Sequence, residues 1–109
     1  MAGAEEGGVI EIVWFANPFR GNDFEAFWTP HAEAVLRYGA TAWAFLRSKD
    51  DHLKFTQFAA FETKLDYDRY WQSEELSSAR AGASGLFQLP VAPVWHAVVG
   101  SGRLSALTN

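Results

Sequence analysis

Three histidines, three tyrosines and five tryptophans carry most of the chemistry open to this chain. His31 stands in the segment Asp23-Phe24-Glu25-Ala26-Phe27-Trp28-Thr29-Pro30-His31-Ala32. With Phe24 at the centre of a helical wheel, Phe27, Trp28, His31, Val35 and Tyr38 fall on the same side. Imidazole titrates near neutrality and can act as general acid or base. His31 is therefore either a satisfied polar group in a core or a catalytic proton-transfer residue facing a pocket. His96 lies between Val94 and Val98 and is expected to line the same pocket or an interface between subunits. His52 sits in a turn beside Asp50 and Asp51, where water satisfies it. None of the three has the short spacing that metal sites use, so no metal is expected.

Trp28, Tyr67, Tyr70 and Trp71 are the expected walls of a flat apolar pocket, with Trp43 from a neighbouring strand. Tyrosine hydroxyls there would orient a ligand carbonyl or phenol. The competing reading is that these rings fill the core and an interface. Arg80 can pair with a ligand anion or with Glu74 or Glu75 close by. Asn17 can bond a ligand at the pocket mouth or serve only as a turn residue before Pro18. The chain has no cysteine, which removes thiolate catalysis and Cys-ligated zinc. It has no Ser-His-Asp pattern and no glycine-rich phosphate loop, and no bound cofactor is expected.

These groups must be positioned by one domain, since the chain has only 109 residues. Hydrophobic residues make up 49% and charged residues 20%, a globular composition. Net charge is −4 and the basic residues are scattered singly, which argues against nucleic acid and anionic membranes as partners. The start of the chain carries acidic Glu5 and Glu6 without an apolar stretch, and no apolar run approaches the roughly 18 residues of a membrane span. A cytoplasmic protein is expected. Residues 1–8 and 101–109 read as tails around a domain of residues 9–100.

Val9 to Phe15 is a β-branched and aromatic run and predicts a strand. Asn22 or Asp23 is expected to cap a helix that runs to Tyr38 and stops at Gly39. Pro30 should kink it, or Thr29 should start a new segment there. Thr41–Ser48 and Leu53–Glu62 predict two strands joined by a turn at 49–52. Thr63 and Asp66 resemble a capping box for a second helix bearing Tyr67, Tyr70 and Trp71. Ser73 caps a short helix from Glu74 to Ala81, residues 86–93 are a connection with two prolines, and Val94–Gly100 is the fourth strand.

The order β-α-β-β-α-β predicts an α+β ferredoxin-like fold: a four-stranded antiparallel sheet with helices on one face. The other face should be polar if water covers it. Instead each strand is mostly apolar on both sides. Ile10, Ile12 and Trp14 oppose Val9, Val13 and Phe15, with Glu11. Thr41, Trp43, Phe45 and Arg47 oppose Ala42, Ala44 and Leu46, and Val94, His96 and Val98 oppose Trp95, Ala97 and Val99. Such a face needs a cover, so a homodimer packed sheet to sheet is expected.

The element order and the two-sided sheet resemble the dimeric α/β-barrel superfamily. Phe24…Trp28…His31-Ala32 resembles the F-x-x-x-W-x-x-H-A helix signature of its EthD-like members. In this chain Pro30 precedes His31, and Glu33 follows Ala32 where that pattern carries a proline. Tyr70-Trp71 and the loop before the last strand are similar to small barrel proteins such as antibiotic-biosynthesis monooxygenases and polyketide cyclases. The resemblance implies a pocket between helices and sheet that takes an aromatic or polyketide-like molecule. It also implies cofactor-independent proton transfer or oxygenation, in which a deprotonated phenol-type substrate reacts with oxygen itself. A non-catalytic binding or assembly module is the alternative, and haem binding a third reading.

Overall fold

The computed structural model describes residues 7–102, so most of the expected tails at 1–8 and 101–109 lies outside the described residues, while Gly8 already belongs to the first strand. Strand β1 spans Gly8–Phe15, β2 Ala40–Arg47, β3 Lys54–Phe61 and β4 Val94–His96. Helix α1 is Gly21–Glu33, α2 is Lys64–Trp71 and α3 is Glu74–Gly82. The strands form one antiparallel sheet in the order β2-β3-β1-β4, which is the ferredoxin-like arrangement. Among the described residues no helix is long and apolar enough to cross a membrane.

Alternation fixes which side of the sheet is the core. Ile10, Ile12 and Trp14 of β1 and Phe55, Gln57, Ala59 and Phe61 of β3 are buried beneath the helices. The residues between them face the other way: Val9, Glu11, Val13, Thr56, Phe58 and Ala60 are half-buried, while Phe15, Ala42 and Leu46 are exposed. The helices lie on the side of Ile10, Ile12 and Trp14, and no described element packs as a layer on the other side.

Several boundaries differ from expectation for identifiable reasons. Helix α1 begins at Gly21, and neither Asn22 nor Asp23 caps it. Asp23 pairs with Arg20 (3.1 Å), and the Asn22 Oδ1 accepts from Arg47 (2.8 Å). Gly21 is buried at the start of the helix, where a Cβ would press on the Arg47 guanidinium and the His52 carbonyl. Pro30 neither breaks nor re-caps α1. Pro30 brings no amide to the Ala26 carbonyl, and Ala26 lies on the exposed side of the helix. The chain then tightens into a 3₁₀ turn over Ala34–Tyr38 and ends at Gly39, whose φ of 96° is left-handed.

The buried arc of this helix is Phe24, Trp28, Ala32 and Val35, so His31 and Phe27 lie at its margin. Thr63 caps α2 by accepting from the Asp66 amide (3.1 Å), and Ser73 caps α3 through the Leu76 amide (3.1 Å), both as expected. β4 is far shorter than the Val94–Gly100 run suggests. Its partner β1 starts at Gly8, opposite the residue after His96, and Pro93 brings no amide to extend the ladder at the other end.

Candidate functional site

One polar side chain organises the core. Gln57 is the only buried polar or charged residue among those described. Its Oε1 accepts from the indoles of Trp14 (3.1 Å) and Trp28 (3.0 Å). Its Nε2 donates to the Tyr70 hydroxyl (3.0 Å), which in turn donates to the carbonyl of His31 (2.8 Å). Each buried polar side-chain atom of the network thereby has a protein partner, which favours a stable buried polar network.

This network decides the placement of several expected site residues. Trp28 and Tyr70 have no exposed surface, so they belong to the core and line no cavity. The His31 ring is half-buried at 5.4 Å from both Phe27 and Trp28, and it lines none of the main clefts. Nearby, Arg37 and Tyr38 both bond the Glu75 carboxylate. Partial burial alone would raise that carboxyl, but the bonds from Tyr38 and Arg37 and the positive charges around it hold it below its ordinary value.

An open cleft of about 460 Å³ lies at the other end of the helical layer. Trp71 from α2, Arg80 and Ala81 from α3, and Ser84, Gly85, Phe87, Leu89 and Val91 from the following loop line it. Its floor rests on the core: the Trp14 ring lies 5.0 Å from Phe87, edge-on, and 6.1 Å from Trp71. Thus Gln57 fixes Trp14, and Trp14 supports two walls of the cleft.

Asn17 holds the loop that supplies most of the lining. Its Nδ2 donates to the Gly85 carbonyl (2.7 Å) and its amide to the Leu86 carbonyl (2.8 Å), while the Gln88 amide donates to Phe15 (2.8 Å). Phe87 is buried as a result, although its loop has no regular structure. The sequence reading treats 86–93 only as a connection. The signal that marks it as a wall is the density of apolar residues, Leu86, Phe87, Leu89 and Val91, in a segment that should otherwise be polar.

Arg80 is the one charged residue lining the cleft among the described residues. Its Cζ lies 4.1 Å from the centre of the Trp71 ring, and Nη1 donates to the Trp71 carbonyl (2.9 Å). Burial lowers the guanidinium from its ordinary value, and the nearby Tyr67 and Tyr70 work in the opposite direction. Tyr67 stacks between Trp71 (6.3 Å) and Trp95 (6.2 Å). Burial also pushes the hydroxyls of Tyr67 and Tyr70 well above the ordinary tyrosine value, so both stay protonated at neutral pH.

The remaining expected residues lie elsewhere. Trp43 lines a second cleft of about 460 Å³ with Glu25, Phe45, Arg47 and Phe55. Its arginine is already spent, because Arg47 is bonded to Glu25 (3.0 Å), Asn22 and the His52 carbonyl. His96 is on the open sheet face, 2.8 Å from the Glu11 carboxylate. No group of three potential ligands gathers around a metal position among the described residues. The structure therefore brings together Trp71, Arg80 and the adjacent Tyr67, and separates them from His31, His96 and Trp43.

No protein-family profile matches the chain, and no curated protein matches its sequence. Solved structures do match its fold. A candidate antibiotic biosynthesis monooxygenase from Nitrosomonas europaea superposes with a TM-score of 0.77 at 17% identity, over 87% of this chain and 92% of that one. Rv0793 from Mycobacterium tuberculosis gives 0.75 at 15% identity, covering 89% and 99%. A variant of SnoaB, a cofactor-independent oxygenase from Streptomyces nogalater, gives 0.75 at 11% identity, covering 88% and 96%. The four-stranded sheet, its strand order and its helical layer thus give this chain the ferredoxin-like fold that these solved structures share.

Proposed function

We propose that the chain binds a small, largely apolar aromatic molecule in the cleft between Trp71 and Phe87 and promotes its oxygenation without a bound cofactor. The observation that carries this reading is the cleft itself, an aromatic-walled space beside a cation that pairs with no carboxylate among the described residues. SnoaB's description as a cofactor-independent oxygenase on the same fold supports it. A phenol-type substrate whose fused ring system carries an acidic CH₂, bound as the anion left by loss of a CH₂ proton, supplies the electrons and dioxygen accepts them. One oxygen atom becomes a carbonyl on that carbon and the other leaves as water. The chain's contribution is to hold the ring between apolar walls, exclude water from it and anchor the molecule beside the Arg80 charge.

Incubating the protein in air with 1,8-dihydroxyanthrone tests the proposal. Saturable binding with oxygen uptake above the protein-free rate is expected, and the absence of both overturns it. Binding without oxygen uptake selects the second reading, a non-catalytic binding module. One observation favours that alternative: no histidine or carboxylate is among the residues lining the cleft.

The proposed working unit is a homodimer closed through the open sheet face. Val13, Phe58 and Ala60 lie at the centre of this face and Leu46 near its edge, with the Glu11–His96 pair beside them. Sedimentation at micromolar concentration should give a dimer, and Phe58→Glu should give a folded monomer. A monomeric wild-type chain overturns the assembly.

A further inference from the structure

We infer that the molecule held in the Trp71–Phe87 cleft is an aromatic acid whose carboxylate pairs with Arg80. This rests on reading the cleft as the binding site and adds the chemical class of what it takes.

The argument starts from how the chain treats its arginines. Among the described residues Arg20 pairs with Asp23, Arg37 with Glu75, Arg47 with Glu25 and Arg69 with Asp66. Arg80 alone has no carboxylate within ion-pair distance, although it is more enclosed than the exposed Arg20, Arg37 and Arg69. The acid closest to it in sequence that could have served, Glu75, is turned to Arg37 and Tyr38 instead.

Arg80 is nevertheless held in place. Nη1 donates to the Trp71 carbonyl (2.9 Å) and Nη2 to the Ser77 hydroxyl (3.3 Å), and the Trp71 ring lies against it. A guanidinium has five N–H donors, so several stay available to a ligand. A half-buried cation held against the Trp71 ring without a counter-charge keeps its charge available, and an incoming anion can pair with it. The rest of the lining decides which anion. Phe87, Leu89, Val91 and Ala81 are apolar and Ser84 adds one hydroxyl, too few donors for a phosphate. A carboxylate needs only the planar fork of one arginine, and the apolar walls take the ring.

The test compares 2-naphthoate with its neutral isostere 2-naphthamide by calorimetric titration. The wild-type protein should bind the acid roughly 10–100-fold more tightly than the amide. Arg80→Gln should lose this preference while holding the amide within a few-fold, and Arg80→Lys should keep part of it. Thermal melts of both variants show whether the fold is intact, and Arg80→Lys carries the test if Arg80→Gln unfolds. Equal affinity of the wild type for acid and amide overturns the inference and leaves the cleft as a site. Binding of neither compound overturns the cleft reading and this inference with it.

Discussion

The indole nitrogen of Trp28 and the side-chain oxygen of Gln57 are 3.0 Å apart at a point with no solvent exposure. The same oxygen takes the indole of Trp14, so one acceptor serves two buried donors from different elements. Gln57→Leu would strand both. Each buried unsatisfied donor costs about 1–3 kcal/mol, partly offset by the added apolar surface, so the variant should lose about 3 kcal/mol. That corresponds to a fall in melting temperature of roughly 10–20 °C for a domain of this size. Thermal unfolding at fixed protein concentration measures it, and an unchanged Tm would show that the network carries no stability.

His31 takes part in this network only through its backbone, since Tyr70 donates to its carbonyl. The bond therefore survives His31→Ala. The imidazole contributes contacts with Phe27 and Trp28, worth about 1 kcal/mol. Because the ring does not line the Trp71–Phe87 cleft, ligand affinity and any oxygen uptake should stay within about twofold of wild type. A loss of turnover at unchanged stability would restore His31 as a catalytic group.

The contrast between these residues shows what the sequence could and could not reveal. The caps at Thr63 and Ser73, the stop at Gly39 and the two faces of β1 were legible because each depends on local geometry. The place of His31 was not. Centring the wheel on Phe24 puts His31 in the stripe, but the small Ala32 is a core residue, and it shifts the buried arc toward Trp28. Gln57 carried a readable signal, a polar residue in phase with Phe55, Ala59 and Phe61. Its three partners come from β1, α1 and α2, and only the tertiary fold brings them to it. The cleft was hidden for the same reason, since the irregular loop after α3 builds most of it.

Alkaline pH should unfold the protein through its tyrosines. Burial raises the hydroxyls of Tyr67 and Tyr70 above their ordinary value of 10.0. For an acid raised in the folded state, the folded form holds the proton more tightly. Its contribution is fully present below the unfolded pKa and is lost as pH climbs above it. Stability should therefore be flat with respect to these groups below about pH 10 and fall beyond it. Tyr67→Phe keeps the stacking on Trp71 and Trp95 and should make the fall shallower. Ultraviolet phenolate absorbance should show Tyr67 and Tyr70 ionising together with unfolding. Their ionisation in the intact fold would contradict the burial argument.

Asn17 offers the most selective handle on the cleft, because it touches the wall and not the ligand space. Its side chain donates to the Gly85 carbonyl at 2.7 Å, while backbone bonds at Leu86 and Gln88 hold the loop independently. Asn17→Asp preserves size and shape but removes the donor. It also places a negative charge against a carbonyl, so it should weaken the latch at least as much as Asn17→Ala. Either change should cost about 1 kcal/mol, and if the loop must be ordered to form the wall, ligand affinity falls by about fivefold. Amide hydrogen exchange at Leu86 and Gln88 should accelerate while exchange in β1 and β3 stays unchanged. Faster exchange with unaltered affinity would mean that Phe87 is held by Trp14 alone. In that case the core, and not the latch, shapes the cleft.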